Sequence, residues 1–408
     1  MADYRFLTTE EVPHYLAAHP ALAARIDTDY LASVQEIGDG NLNLVFLVKD
    51  RVGRGLVLKQ ALPYVCMSGG SWAMTPERAR HEVASLVAHR ALVPDLVVEV
   101  LEHDEPRHIF AMADLSDHTV WRTALNAGRV YEGVAEQVGT YIGAVAFGTS
   151  LFALERQHLA DAQAAAINPE LCAITEDLVF TEPCVDAGRN CVLPANEPDA
   201  AALAADTAFV DAMGRAKYWF ITCGEALIHG DLHTGSVMVR GAGDGSPADS
   251  VKVFDSEFAF FGPVAFDLGA IWANYVFAAA RAYALGEDHR ARWALGLVEA
   301  TWRGFEAEFR RRWPSRRDPR VWRDGFLEER IATWRRQAWL FAAAKMAGRI
   351  VGYAKVADIE TLPPALREGA ARGVLAAARS AVRVVGGASA AAFADRCGRE
   401  LLAHRTAE

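Results

Sequence analysis

Two periodicities of apolar residues divide the chain into a strand-rich part and a helix-rich part. In the first part, apolar positions come in short β-rich runs that are separated by Gly, Asp and Asn. The run at 33–50, which contains a glycine turn, and the run at 55–62 predict a three-stranded antiparallel meander. Runs at 95–103 and 108–115 predict two more strands, and a short helix is predicted at 11–26.

One long helix is predicted to interrupt these strands. Residues 75–92 carry apolar side chains such as Val83 and Leu86 at helical spacing. Thr75 is followed by Pro76, a residue that favours the first position of a helix. The pattern therefore predicts a helix that is capped by Thr75.

After Thr119 the spacing of apolar residues is mostly helical. Short strands are predicted only at 236–240 and 251–255, with a polar surface loop between them. The predicted helices span 131–150, 200–225, 265–286, 288–312, 325–356 and 363–384. The chain is therefore predicted to have an α+β fold, in which a β-rich N-terminal part with one long helix precedes a mostly helical C-terminal part.

Composition and charge narrow the class of protein. The 408 residues are 52% hydrophobic and 23% charged, which favours packed cores over disorder, and the length favours two domains or lobes. The formal charge of −10 argues against a general binder of nucleic acid or of anionic membranes. Six scattered cysteines form no Cys-x-x-Cys pair, so neither a zinc site nor a disulfide framework is indicated. With neither a secretory leader nor a membrane-spanning run evident, a cytoplasmic protein is expected.

The segment 226–270 contains the acids that point most clearly to chemistry. Asp231 lies in a loop just before a short strand, and Asp255 and Glu257 follow the next strand. Phosphoryl transfer needs one carboxylate at the attacking hydroxyl and others that hold Mg²⁺ against the phosphates. His-Gly-Asp alone is more often a turn with a helix cap, but the added acidic pair makes a catalytic site the better interpretation.

A second group of residues is suited to a nucleotide. The turn with Gly40 and Asn41 can offer backbone N–H groups to phosphate oxygens. Lys59 lies in an apolar strand that follows this turn; an exposed strand position is the commoner explanation, but the order matches the phosphate-binding lysine of kinases. Glu82, on the next helix, could then orient Lys59, whereas Glu77 could simply stabilise the helix dipole.

Longer phrases show a resemblance to a known family. They are EIGDGNLNLVF (36–46), LKQALPYV (58–65), ADLSDH (113–118), NPELCAITEDLVFT (168–181), LIHGDLHTGS (227–236), DSEFAFFGP (255–263), FDLG (266–269) and IVGYAKVADIETL (350–362). In these phrases the chain resembles the S-methyl-5-thioribose kinase family, a branch of the protein-kinase-like small-molecule kinases. Ser236 stands where the related aminoglycoside and choline kinases have asparagine.

The resemblance implies a bilobal protein-kinase-like fold. A nucleotide-binding lobe of five antiparallel strands and one long helix is expected at 1–115, and a helical lobe with the catalytic loop and substrate site at 116–408. The implied reaction is ATP-dependent transfer of the γ-phosphate to the anomeric hydroxyl of S-methyl-5-thioribose, an early step of methionine salvage. The resemblance also implies that the protein forms a homodimer. It implies that the protein binds a small sugar as substrate, and neither nucleic acid nor a membrane.

The same resemblance implies roles for individual residues. Asp231 would be the catalytic base, while Asp255 and Glu257 would bind Mg²⁺. The nucleotide would be bound by Gly40, Asn41, Lys59 and Glu82, and by the backbone of a hinge at Met112, Ala113 and Asp114. The sugar would contact Asp231, His233 and Arg349. For His233, a hydrogen bond that shapes the loop is an equally good interpretation, and Asp267 is expected to brace the catalytic loop.

Three departures from the family pattern affect these expectations. The family's acidic segment reads Asp-Pro-Glu, and Ser256 replaces the proline, so a less rigid turn is expected. The hinge carries Ala113, which need not change contacts made by the backbone. The family's arginine pair is reduced to Arg349, because Gly348 replaces the first arginine, and Lys355 and Tyr353 replace a histidine and a leucine.

Glycine at 348 costs helix propensity, so it is expected to make room for a larger substrate or to let another cation enter. The candidate cations are Arg335, Arg336 and Lys345, although a solvated helix face is favoured for each. One alternative function is therefore a kinase of a different 5-modified pentose or of another small alcohol. Another is a nucleotide-binding pseudokinase, against which the retained Lys59 and the three acids argue.

Overall fold

The computed structural model describes residues 4–37, 42–64, 72–383 and 389–406. The strands are β1 Leu31–Glu36, β2 Asn43–Asp50, β3 Gly55–Ala61, β4 Val100–Asp104, β5 Ile109–Ala113, β6 Thr119–Val120, β7 Val130–Glu132, β8 Ala226–Ile228, β9 Val237–Arg240, β10 Asp244–Pro247, β11 Ser250–Val253 and β12 Phe260–Gly262. The helices are α1 Val12–Ala17, α2 Pro20–Ala23, α3 Arg78–Leu92, α4 Trp121–Asn126, α5 Val134–Gly148, α6 Arg156–Ala165, α7 Pro169–Thr175, α8 Glu197–Ala204, α9 Thr207–Thr222, α10 Val264–Ala284, α11 Asp288–Arg312, α12 Asp324–Val351, α13 Ala357–Glu360, α14 Pro364–Ala381 and α15 Ala390–His404.

The N-terminal lobe is built on a five-stranded sheet of order β1-β2-β3-β5-β4, in which every neighbouring pair is antiparallel. β3 is central, and six of its seven residues are buried. The apolar face of the sheet packs against the N-terminal helices, so that Phe46 and Leu58 form one cluster with Val12 and Leu16. The predicted five-stranded lobe with one long helix is confirmed.

The C-terminal lobe is helical and is organised around α10. All but one of the 21 residues of α10 are buried, and a helix that is apolar on every side belongs in the centre of a core. It packs against α11, α12 and α14. The molecule is a bilobal α+β protein, as predicted, and none of the helices in the described part of the chain is long and apolar enough to cross a membrane.

Short strands join the two lobes and support the loops of the site. β6, β9 and β11 form a small sheet, and β8 pairs with β12. Val97 forms a parallel bridge with Val253 at the end of β11. The ammonium group of Lys252 also donates to the carbonyl oxygen of Asp95 over 2.6 Å. The last strand before the acidic segment is therefore fixed to the N-terminal lobe.

Several predicted boundaries are wrong. The long helix begins at Arg78, and Thr75 lies ahead of the turn of Pro76 and Glu77 that precedes it. The strand predicted at 95–103 covers only Val100–Asp104. The helix predicted at 200–225 is two helices, because the side chain of Asp206 accepts a hydrogen bond from the N–H of Phe209 and starts a new helix there.

Other elements were not predicted. The loop between β9 and β11 contains β10, which pairs in parallel with β7. The helices α6 and α7 and one turn of π-helix at Glu176–Thr181 lie in a region without a predicted element. The single short helix predicted at 11–26 is divided into α1 and α2, since Pro20 begins the second.

Candidate active site

The catalytic loop that follows β8 is held by hydrogen bonds from its backbone. The N–H groups of His229 and Gly230 donate to the two oxygens of Asp267, over 2.8 and 3.1 Å. The imidazole of His229 contacts the carbonyl oxygen of Phe254 at 3.0 Å. Burial raises the pKa of Asp267, although its bonds to the loop favour the charged form. The predicted bracing role of Asp267 is confirmed.

Gly230 is required by the shape of this loop. Its φ of 82° lies in the left-handed region, and a Cβ at this position would be only 2.1 Å from the carbonyl oxygen of Phe258. The backbone of the catalytic loop therefore touches the segment of Asp255 and Glu257. This contact brings Asp231 and the acidic pair into one site.

Positive charge surrounds Asp231. The Nζ of Lys345 lies 2.6 Å from Oδ1 of Asp231, and Nη2 of Arg349 lies 3.9 Å from Oδ2. Burial by itself would raise the pKa of Asp231, but the charge of Lys345, with a smaller contribution from Arg349, outweighs burial and holds this pKa well below its ordinary value. Asp231 is therefore a carboxylate throughout the neutral range.

The expectation of a solvated helix face for Lys345 is wrong. Its side chain is only 7% exposed, and its ammonium lies over the ring of Phe266, 5.0 Å from the centroid. Lys345 lies on α12, one turn before Arg349, so the two side chains share a face of the helix. A second cation therefore does enter the site, and it comes from residue 345.

Gly348 does not open space in a pocket. A Cβ there would lie 2.9 Å from the carbonyl oxygen of Leu178 and 3.4 Å from the Cα of Val179. The expected room for a larger substrate is therefore filled by the π-helical turn. The glycine allows the backbone of α12 to approach the backbone of this turn.

His233 lies beside the aspartate, with Nε2 3.5 Å from Oδ2 of Asp231. The backbone N–H of His233 donates to Oγ of Ser236, and this hydrogen bond shapes the loop. Burial, together with the nearby charge of Arg122, lowers the pKa of His233 to about 3, so the ring is neutral at pH 7. Its Nδ1 is buried and has no hydrogen-bond partner among the described residues.

Arg122 and Asp358 form a buried ion pair behind the loop. Nε of Arg122 lies 3.3 Å from Oδ2 of Asp358, whose side chain is fully buried. Nη2 of Arg122 donates to Asn274 over 2.7 Å. Burial raises the pKa of Asp358, and the charge of Arg122 opposes this rise. The pair places a further guanidinium near His233.

Lys59 lies between two carboxylates on the nucleotide side. Its Nζ is 2.8 and 2.7 Å from the two oxygens of Glu82 and 2.5 Å from Oδ1 of Asp255. Glu82, rather than Glu77, is the acid that meets the lysine. Although burial opposes it, the charges of Asp255 and Glu82 raise the pKa of Lys59, so its ammonium is charged.

Glu257 is held by a buried arginine. Nε of Arg78 lies 3.1 Å from Oε2 of Glu257, and the amide of Asn43 donates to the same oxygen over 3.2 Å. Arg78 is fully buried and also donates to the carbonyl oxygens of Leu62 and Thr75. This guanidinium therefore connects the acidic segment to the N-terminal lobe.

The carboxylates can hold a metal ion. One oxygen from each of Glu82, Asp255 and Glu257 lies within 4.8 Å of the others. An all-oxygen donor set suits a hard divalent cation such as Mg²⁺. Both oxygens of Glu82 face Lys59, so Asp255 and Glu257 are the acids better placed to bind the ion.

The acidic segment is anchored to α3 through the residue that replaces proline. Asp255 has a φ of 67°, a rare conformation for a residue other than glycine. Ser256 is fully buried, and its hydroxyl lies 2.7 Å from the hydroxyl of Ser85. The expected loss of rigidity at Ser256 is therefore offset by a hydrogen bond to the helix that carries Glu82.

The hinge residues end β5 at the edge of the lobe. Met112 is buried, and the N–H of Ala113 donates to the carbonyl oxygen of Glu99 over 2.9 Å, so this donor is already used. The side chain of Asp114 pairs with Lys49 at 3.1 Å. Gly40 and Asn41, the predicted phosphate-covering residues, lie outside the described residues.

Sequence reasoning missed two cations of this site and misplaced a third. Arg78 and Arg122 occur in helices where a charged residue ordinarily faces solvent. Lys345 is a candidate from the sequence because glycine replaces the family's arginine at 348, but a solvated face is expected for it.

Comparison with known proteins agrees with this geometry. Residues 33–307 match the phosphotransferase enzyme family. A methylthioribose kinase from Yersinia pseudotuberculosis is 36% identical over 372 residues, which cover 89% of this chain and 88% of that protein. This chain belongs to the methylthioribose kinase family. The family recognised from the phrases of the sequence is thereby confirmed, and the protein is a phosphotransferase.

A second relative in sequence supports the assignment. A methylthioribose kinase from Pectobacterium atrosepticum is 36% identical over 379 residues, which cover 89% of this chain and 90% of that protein. Among solved structures, a choline/ethanolamine kinase family protein from Mesorhizobium loti covers 97% of this chain and 100% of its own, with 14% identity and a TM-score of 0.45. The assignment to the family rests on the sequence relatives.

Proposed function

We propose that this enzyme transfers the γ-phosphate of ATP to the anomeric hydroxyl of S-methyl-5-thioribose. The observation that carries the proposal is the position of Asp231. It is a carboxylate surrounded by cations, on a loop that touches the segment of Asp255 and Glu257. Relatives named methylthioribose kinase, with 36% identity across most of the chain, support this acceptor.

Asp231 is the proposed catalytic base. It receives a hydrogen bond from the acceptor hydroxyl and orients the hydroxyl oxygen toward the γ-phosphorus. His233 and Arg349 are the proposed sugar contacts, because both lie beside Asp231. The ring nitrogen of His233 beside the aspartate is Nε2, which is the one proposed to meet the sugar.

Lys59, which Glu82 orients, is proposed to pair with the phosphates. Asp255 and Glu257 would hold Mg²⁺, since one oxygen from each lies within 4.8 Å of the other. A divalent cation held by these acids would supply positive charge against the phosphates during transfer. The carboxylates of this cluster carry three negative charges, whereas Lys59 and Arg78 supply two positive charges. The remaining negative charge favours binding of a divalent cation.

The proposal also covers the boundary between the lobes, the backbone contacts of the nucleotide, and the assembly of the protein. A boundary at 115/116 divides the nucleotide-binding lobe from the lobe of the catalytic loop. Backbone groups of Met112, Ala113 and Asp114 other than the N–H of Ala113 are proposed to receive adenine, and Gly40 and Asn41 to cover the phosphates. The resemblance to the family supports a homodimer in the cytoplasm.

A panel of acceptors tests the proposal. ADP release with S-methyl-5-thioribose should far exceed the ATPase background, and ³¹P NMR should show a sugar 1-phosphate. Asp231→Asn should abolish turnover and leave ATP binding nearly intact, while the exposed Asp249→Asn should behave as wild type. If another sugar turns over and methylthioribose does not exceed background, the proposed acceptor is wrong. Undiminished activity of Asp231→Asn would refute the proposed base.

The different-acceptor alternative finds no support at residue 348. A larger sugar would need space beside Gly348, and the backbone of Leu178 and Val179 occupies that space. Methylthioribose is therefore the acceptor that the relatives and the packing of α12 together favour.

A further inference from the structure

Two cations from consecutive turns of α12 reach the two oxygens of one carboxylate. Lys345 contacts Oδ1 of Asp231 at hydrogen-bond distance, 2.6 Å. Arg349 lies at 3.9 Å from Oδ2, which is too long for a direct hydrogen bond. The two oxygens of Asp231 are therefore not equivalent: one is fixed by the protein, and the other is left for a further donor.

We propose that Lys345 is the positioning residue of the catalytic aspartate: it holds Oδ1 of Asp231 so that Oδ2 meets the acceptor hydroxyl, and it supplies the cation that Gly348 lacks. This inference rests on the proposed function, because it takes Asp231 as the residue that contacts the acceptor.

The packing of α12 explains why the cation comes from residue 345. A side chain at 348 would point at the backbone of Leu178 and Val179, where no long side chain fits without moving the π-helical turn. Residues 345 and 349 lie four apart and share the face that looks at Asp231. Position 345 is thus the one on the preceding turn from which a cation reaches the carboxylate.

The surroundings of Lys345 make its position well defined. Its side chain is 7% exposed, and Phe266 lies under its ammonium. A buried ammonium is costly unless it is paired, and its partner here is Asp231. Burial lowers the pKa of Lys345, and the charge of Asp231 opposes this. Separating Lys345 from Asp231 would leave a buried charge without a partner. This cost in free energy holds the two side chains together.

The two carboxylate oxygens of Asp231 have different roles in the proposed reaction. The acceptor oxygen forms a bond to the γ-phosphorus, the bond from that phosphorus to the bridging oxygen breaks, and its electron pair leaves with ADP. The hydroxyl proton passes to Oδ2 of Asp231. In a loose transition state the proton moves late, so a weak base suffices and orientation of the hydroxyl matters more.

Several charged or titratable groups face Asp231. Lys345 and Arg349 approach from α12, and His233 from the catalytic loop. Arg122, paired with Asp358, lies further away on α4, and Asp267 lies near Lys345. Among these groups, the charge of Lys345 has the largest effect in lowering the pKa of Asp231.

Lys345→Met, Lys345→Arg and the exposed control Arg215→Met, on α9, test the inference. The methionine variant should lower kcat by roughly 10²-fold, the scale on which a positioned acid–base group acts, with little change in the KM for ATP. The arginine variant should keep much of the activity. Carboxyl ¹³C NMR, with the signal assigned through Asp231→Asn, should show a raised pKa of Asp231 in Lys345→Met and wild-type behaviour in Lys345→Arg.

The outcomes separate this inference from the proposed function. If the wild type uses methylthioribose but Lys345→Met keeps its kcat and its Asp231 titration, the inference is overturned while the function stands. If the wild type uses another acceptor, the function is wrong, and the NMR titration still decides the role of Lys345. A loss of activity that Lys345→Arg shares, without any shift of the Asp231 pKa, would show a purely structural lysine and would also overturn the inference.

Discussion

The hydroxyl of Ser85 lies 2.7 Å from the hydroxyl of Ser256, which connects the middle of α3 to the acidic segment. Ser85 also donates to the carbonyl oxygen of Glu82, one turn earlier in the same helix. Ser256 stands between Asp255 and Glu257. This buried contact, like that of Arg78 with Glu257, joins the helix that orients Lys59 to the two acids proposed to bind metal.

Removing either hydroxyl should loosen this connection. Ser85→Ala leaves the buried hydroxyl of Ser256 without its partner, and Ser256→Ala removes one partner of Ser85, so each should lower the free energy of unfolding by about 1–2 kcal/mol. The double variant should lose less than the sum of the two, because both changes remove the same bond. Mg²⁺ titrations of activity should show weaker apparent metal binding, whereas the exposed Ser246→Ala should be unchanged. Additive losses would contradict a direct coupling.

Glycine at 348 should be required by contact rather than by flexibility. Gly348→Ala gains about 1 kcal/mol of helix propensity but places its Cβ 2.9 Å from the carbonyl oxygen of Leu178. Because backbone cannot yield cheaply, we expect a net loss of about 1–2 kcal/mol. Gly214→Ala, in α9 and with no atom within 4 Å of the added Cβ, is the matched control and should be stabilising. Thermal unfolding compares the two, and a Gly348→Ala that melts above wild type would refute the contact.

Replacing the buried Arg78 should lower the free energy of unfolding more than replacing a surface arginine does. Arg78→Met leaves Glu257 buried without its partner, which should cost about 3–5 kcal/mol. Arg80→Met, two residues away and only loosely paired with Glu77, should stay within about 0.5 kcal/mol of wild type. Chemical unfolding checks both variants. Equal stability of the two variants would show that Arg78 contributes no more than a surface arginine.

His89 should make the stability depend on pH. Its ring lies 2.8 Å from the carbonyl oxygen of Leu227 and 2.9 Å from the hydroxyl of Tyr141, and burial lowers its pKa to about 3. An unfolded histidine has a pKa near 6.5. The contribution of the neutral ring is therefore complete above about pH 6.5 and is lost as the pH falls toward 3.

Between pH 7.5 and 5.5 this loss should amount to about 1.4 kcal/mol. His89→Gln, which cannot take up a proton, should remove that part of the pH dependence, although it lowers stability at pH 7.5. His81 and His233, whose pKa values are also lowered by burial, keep their contributions in this variant. Urea unfolding at the two pH values measures the difference. The exposed His158→Gln is the control, and an unaltered pH dependence in His89→Gln would contradict the prediction.

The N-terminal sheet could be predicted because its signals are local. Glycine turns separate the runs of apolar residues, so the meander is evident from spacing alone, and Lys59 and Glu82 could be paired by their order along the chain. Boundaries were less predictable, since Asp206 ends one helix and caps the next where the apolar spacing continues. The acidic pair Asp255 and Glu257 was recognisable because it follows a strand.

The cations of the site could not be placed from the sequence. Helical periodicity tells which positions are apolar, but it does not tell what a distant loop brings to a polar position. Lys345 and Arg78 are buried only because Asp231 and Glu257 come to them across the fold. Ser256 was similarly expected to loosen its turn, because its partner Ser85 lies 171 residues away.

Lys345 and Asp231 are separated by 114 residues of sequence. Contacts of such long sequence separation form late, after the entropy of closing a large loop has been overcome. During synthesis, the loop of Asp231 leaves the ribosome well before α12 does. The contact between Asp231 and Lys345 can therefore form only after α12 has been synthesised. Regained phosphotransfer, rather than regained helical content, is therefore the signal that would report the end of refolding.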